Sequence, residues 1–128
     1  MKKILSVLFI LVGMLSIGKV SAMTFEQAFS QANTTPMVVL VYAQWADGYQ
    51  NYIQQFRTVQ NELGKSFNFV EMDIASKDTK AFNDRYHIYP KLPYVLMYRD
   101  GGKVSRYIPR DCASNASCMS TKLRSFIQ

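Results

Sequence analysis

Apolar positions along this chain change their period several times, and each change marks an element. Met1-Lys2-Lys3 leads into a nearly unbroken apolar run from Ile4 to Ile17, followed by Val20-Ser21-Ala22. A short positive start, about a dozen apolar residues and small residues at the end form a secretory signal peptide over residues 1–22, with cleavage before Met23. The run falls short of the roughly 20 residues that span a bilayer. Thr24 with Gln27 gives a capping-box signature, and Phe25, Ala28, Phe29 and Ala32 share one helical face up to Pro36. Met37 to Ala43 is continuously apolar and rich in valine, which predicts a central strand buried on both faces. Tyr52, Ile53, Phe56, Val59 and Leu63 return to helical spacing and predict a helix over 49–63, closed by Gly64.

Beyond that helix the elements shorten. Phe67 to Ile74 predicts a second strand, and Asp78 to Tyr86 a short helix carrying Ala81, Phe82 and Tyr86. Tyr94 to Tyr98 is β-rich, Asp100-Gly101-Gly102 is a turn signal, and Val104 to Ile108 is the returning strand of a hairpin. Met119, Leu123, Phe126 and Ile127 predict the apolar face of a C-terminal helix. The order helix, strand, helix, strand, helix, strand, strand, helix gives an α/β chain. Parallel strands joined across helices and a final antiparallel hairpin make a mixed sheet of about four strands flanked by helices.

Composition narrows the function classes. The chain has 128 residues, 48% hydrophobic and 19% charged, so it is neither disordered nor collagen-like. Its formal charge is +6. Without the leader, and so without Lys2, Lys3 and Lys19, twelve basic residues face nine acidic ones, a balance of +3 over 106 residues. That excess carries no Lys/Arg cluster and does not argue for nucleic acid or an anionic membrane. The leader implies export, to the periplasm or beyond, into an oxidising compartment.

Two cysteines in an exported chain most simply pair with each other. Cys112 and Cys118 lie between the last strand and the last helix, and a bridge there would pin the start of that helix. Two other readings stand beside it: a redox pair, and intermolecular pairing. His87 is the sole histidine, no set of three or four metal ligands is apparent, and no Gly-rich phosphate loop or catalytic triad can be assembled. The residues call for no cofactor.

Three segments carry a family resemblance. They are Val38-Val39-Leu40-Val41-Tyr42-Ala43-Gln44-Trp45, a buried strand ending in Trp; Leu92-Pro93 directly before the strand Tyr94 to Tyr98; and the hairpin Arg99 to Val104. Together they resemble a thioredoxin-like domain, which would span residues 23–128. The resemblance implies a cis-proline at Pro93 and a peptide groove lined by Trp45, Ala46, Asp47, Gly48, Tyr49, Leu92 and Pro93, with Tyr89 as neighbour. Family enzymes carry Cys-x-x-Cys directly after the Trp. Here Ala46-Asp47-Gly48-Tyr49 stands in its place, and Leu40 stands where the family keeps a buried carboxylate. Thiol–disulfide exchange needs a thiolate, so no catalytic residue is expected at that site. Asp47, with Gln50 three residues on, instead predicts a helix N-cap. The expected function is protein binding, as a non-catalytic accessory or scaffold subunit of a cell-envelope assembly such as a secretion apparatus, or as a chaperone-like module. The alternative is a thiol–disulfide oxidoreductase using Cys112 and Cys118.

Overall fold

The structure is a computed structural model that describes residues 23–76, Thr79, Asp84 and residues 92–128. The leader, the predicted helix at 78–86 apart from Thr79 and Asp84, which are helical, and His87 and Tyr89 lie outside the described residues. Helix α1 covers Phe25–Ser30, strand β1 Met37–Tyr42, helix α2 Tyr49–Leu63 and strand β2 Asn68–Asp73. Strand β3 covers Tyr94–Arg99 and strand β4 Val104–Ile108; a short helix α3 at Arg110–Ala113 precedes helix α4 at Ala116–Phe126.

Each element follows from a local cause. Thr24 accepts from the Gln27 amide while the Gln27 side chain accepts from the Thr24 amide, so the capping box that starts α1 is closed in both directions. β1 buries its first five residues, because it lies inside the sheet and is covered from both sides. The sheet order is β2-β1-β3-β4. β1 runs parallel to β2, Val39 opposite Val70, and antiparallel to β3, Val39 opposite Leu96; β3 and β4 form the antiparallel hairpin.

Alternation along β1 divides the core in two. Val38 and Leu40 join Phe56 and Val59 of α2 and Met119 and Leu123 of α4 on one side. Val39 and Val41 join Ala28 of α1, Met72, Leu96 and Tyr98 on the other. Full burial of a Leu or Phe side chain contributes about 2 kcal/mol, so these two layers hold the sheet. Ser120 Oγ donates to the Glu62 carboxylate at 3.1 Å, Arg124 pairs with the same carboxylate, and Gln55 Oε1 accepts from the Ala116 amide at 3.0 Å. These contacts tie α4 to α2.

The hairpin connection has four residues, Asp100 to Lys103, between the paired Arg99 and Val104. Asp100, Gly101 and Gly102 all have positive φ, at 56°, 68° and 89°. A Cβ on Gly102 would lie 2.5 Å from the Phe29 ring, so glycine here lets α1 seat its aromatic face on the hairpin. The Gly101 amide donates to the Ala32 carbonyl at 3.0 Å and closes the same contact.

Two expectations are corrected, at Asp47 and Ile127, and the closure of α2 at Gly64 is borne out. Asp47 does not cap α2: the N-cap is Gly48, left-handed at φ 76°, with no side-chain cap bond. A turn places it there, with the Ala46 amide bonded to the Ala43 carbonyl and the Tyr49 amide to the Ala46 carbonyl. Gly64 does end α2, but in right-handed geometry; its missing Cβ would sit 2.6 Å from the Gln60 carbonyl oxygen. Ile127 follows the last turn of α4 and is 41% exposed, whereas Met119, Leu123 and Phe126 are buried as the helical spacing predicts.

Candidate functional site

The segment between β1 and α2 begins with a buried Ala43 and then turns outward. Trp45 is 72% exposed, a large aromatic left in solvent by the turn that precedes α2. Ala46 is half-buried against the α1-side core, the same cluster that contains Leu92. Asp47 and Gly48 are exposed. The peptide bond Leu92–Pro93 is cis, as the resemblance implies, and both residues are buried directly before β3. The structure thus brings Ala46 and Leu92 into one cluster, with Trp45 beside it in sequence and open to solvent.

Tyr49 behaves differently. Its ring stacks on Tyr42 at 6.0 Å and 8°. Tyr42 packs against the α2-side core, and Leu92 belongs to the other core. Tyr49 therefore serves the α2 side of the sheet, and the stacked pair closes the position where a second thiol would stand. Leu40 is 1% exposed inside the α2-side core, so no carboxylate stands behind the segment at that position. Burial pushes the Tyr42 hydroxyl above its ordinary pKa of 10.0; the nearby carboxylates of Asp73 and Glu71 push the same way, while Arg57 opposes. Arg57 forms a two-pronged ion pair with Glu71 at 2.8 Å and 2.8 Å, which raises the guanidinium pKa further.

Two features were not assembled from the sequence. Arg110 donates to the Leu92 carbonyl at 3.4 Å, so the start of α3 reaches back to the cis-proline segment. Tyr94 and Tyr107 stack at 5.8 Å and 19°, one on each strand of the hairpin, with Tyr107 59% exposed. Burial, then the neighbouring Tyr107, raises the Tyr94 pKa above 10.0. The hairpin register was the signal available in the sequence: turning at 100–102 sets Leu96 opposite Tyr107, with Tyr94 two residues along the same face.

Cys112 and Cys118 form a disulfide with Cα atoms 5.2 Å apart. Cys112 is buried in the α2-side core and Cys118 packs half-buried against it. Asn115 caps α4 by accepting from the Cys118 amide at 2.9 Å, so the bridge fixes the first turn of that helix to α3. Both sulfurs lie in a structural joint, and neither belongs to the cluster of Ala46 and Leu92.

A cleft of about 400 Å³ runs along β2 at the other margin of the sheet, lined by Met23, Arg57, Glu71 and Asp73 among others, and includes none of Trp45, Ala46, Leu92 or Pro93. Among the described residues, no group of three or more His, Cys, Asp or Glu is placed to hold a metal ion, and no helix is long and apolar enough to cross a membrane.

No family model matches this sequence, and no curated protein does. Solved structures match by shape. A chloroplastic thioredoxin z shares 17% identity at a TM-score of 0.63, over 83% of this chain and 92% of that one. The thioredoxin of Fasciola hepatica shares 20% identity at a TM-score of 0.59, over 80% and 86%. Full-length ERdj5 shares 15% identity at a TM-score of 0.66, over 83% of this chain and 15% of that one. The fold is the thioredoxin fold, and it carries an intrachain disulfide between α3 and α4.

Proposed function

We propose that the protein is an exported, non-catalytic binding module: a thioredoxin fold whose groove at Trp45, Ala46, Leu92 and Pro93 takes a segment of a partner protein. The partner belongs to the cell envelope, and the module serves it as an accessory or scaffold subunit, of a secretion apparatus for example, or as a chaperone-like holder. Residues 1–22 act as the leader that delivers it to the periplasm. One observation carries this reading. The chain's two cysteines are bonded to each other in the joint between α3 and α4, so Ala46 and Tyr49 leave the start of α2 with no thiol to react. Exposed Trp45 supports the binding half, because a large aromatic in solvent beside a buried apolar cluster suits a protein contact.

A disulfide-reduction assay on insulin tests the chemical half. The expected result is no turnover above buffer. Turnover that disappears in Cys112→Ser would overturn the reading and favour the oxidoreductase alternative. That alternative draws on the position of Cys118 in the first turn of α4, where the helix dipole favours a thiolate. Co-purification from envelope extracts tests the binding half. One stoichiometric partner, lost in Trp45→Ala, is expected; retention of that partner by the variant removes the groove from the account. N-terminal sequencing of the exported protein is expected to begin at Met23.

A further inference from the structure

Among the described residues β4 forms one margin of the sheet, and Ser105, Arg106 and Tyr107, three of its five residues, are exposed. A marginal strand turns about half of its N–H and C=O groups away from its neighbour, a template for another strand. Charges on such a strand usually keep it from pairing, and Lys103 and Arg106 would suffice for that. Repulsion does not call for an exposed aromatic. This edge has one, Tyr107, stacked on Tyr94 across the hairpin.

The charge distribution points the same way. Residues 94–110 hold Arg99, Lys103, Arg106 and Arg110 against Asp100, a net +3. Residues 23–76 hold Arg57 and Lys65 against Glu26, Asp47, Glu62, Glu71 and Asp73, a net −3. The excess of the chain beyond its leader is matched by the hairpin and its exit. Arg99 pairs with Asp100, whereas Arg106 donates to the Ser105 carbonyl and Arg110 to the Leu92 carbonyl, and among the described residues neither of these two forms an ion pair.

We propose that the outer edge of β4 is a docking strand for an extended acidic segment of a partner protein, which pairs beside it by strand addition. The chemistry of that segment follows from the pleat. Arg106 and Tyr107 face opposite sides of the sheet. A strand laid along them therefore meets a guanidinium on one face and an aromatic ring on the other. The matching segment alternates acidic and apolar residues. Backbone hydrogen bonds supply affinity that any strand would gain, and the alternation supplies selectivity. Its residues on β4 differ from Trp45, Ala46, Leu92 and Pro93, so the edge and the groove can be varied independently.

The test is a titration of the ¹⁵N-labelled protein with an acetylated octapeptide of alternating Glu and Val, followed by amide shifts. Shifts concentrated on residues 104–108, at least tenfold weaker binding to Arg106→Glu and unchanged binding to Trp45→Ala are expected. A peptide with Lys in place of Glu is expected not to bind. Shifts centred on Trp45 and Leu92, or equal binding of the two peptides, overturn the proposal. So does tighter binding of anionic lipid vesicles or single-stranded DNA through the same residues. If Arg106→Glu fails to fold by circular dichroism, Arg106→Gln and the wild-type shift map decide. Loss of groove binding in Trp45→Ala with peptide binding intact would separate this edge from the groove.

Discussion

Replacing Cys112 and Cys118 together with alanine separates a structural bridge from a working one, because the two differ in sign as well as size. The bridged residues are six apart, which closes a loop of about seven residues. Loop-closure entropy for that length gives about 2 kcal/mol of stabilisation through the unfolded chain. Cys112 is also 5% exposed in the core with Phe56 and Leu123, so losing its sulfur adds about 1 kcal/mol of lost packing. For the chain beyond its leader, at about 2 cal/mol/K of unfolding entropy per residue, the total lowers Tm by roughly 10–15 °C. Calorimetry on the oxidised protein, the reduced protein and the double variant measures it. Reduction and substitution are both expected to destabilise, with faster amide exchange beginning at Ala116 while the β1 amides stay protected. By linkage, a bridge worth about 2 kcal/mol to the fold lies roughly 40 mV below an unconstrained one in potential. A protein-oxidising disulfide behaves oppositely, since its reduced form is the more stable. Equal melting of the oxidised and reduced protein, or a more stable reduced form, would refute the structural assignment.

Three further predictions concern the scaffold. Thr24→Ala removes the N-cap of α1 and is expected to cost about 1 kcal/mol, read from the urea midpoint. Gly102→Ala puts a methyl against the Phe29 ring at a backbone angle that L-residues avoid, and is expected to cost about 1–3 kcal/mol by the same measurement. Tyr42 and Tyr94 hold their protons more tightly folded than unfolded, since burial raises both above 10.0. Their contribution is therefore complete below pH 10 and falls as pH rises past it; urea unfolding across roughly pH 9 to 11 is expected to show that fall, flattened in a Tyr42→Phe, Tyr94→Phe variant.

Much of this fold is legible in the sequence because its elements have strong, single causes. The unbroken run from Met37 specifies a covered strand, and the spacing from Tyr52 to Leu63 specifies the α2 face that meets Phe69 and Leu123. Capping was legible where side chain and backbone agree, at Thr24, and misread at Asp47. There the backbone turn from Ala43 had already fixed Gly48 as the boundary, and a turn is a non-local choice among several that the same residues allow. Helix α3 carries no periodicity, being four residues long, so its start at Arg110 and the reach of that residue to Leu92 were invisible. The packing of the residues expected along the groove was legible in part. Ala46 and Leu92 meet in one cluster, while Tyr49 turns to Tyr42 on the other side of the sheet, a preference set by packing that spacing does not encode.

The positions that a redox thioredoxin uses for chemistry are filled here by side chains that pack. Leu40 lies in the core where the resemblance places a buried carboxylate, Ala46 adds to the cluster of Leu92, and Tyr49 stacks on Tyr42. An ionisable group in those places would cost several kcal/mol in desolvation unless paired. An apolar filling removes that cost and leaves a more rigid start to α2. A packed support suits the proposed binding surface, since preorganisation lowers the ordering cost of binding. The exposed aromatics sit on such supports. Trp45 leaves from a hydrogen-bonded turn, and Tyr107 lies on a strand whose register is fixed by the tight turn at Asp100 to Gly102. The interior gains packing at those positions, and on the proposed reading the groups that meet a partner are those the backbone holds out to solvent.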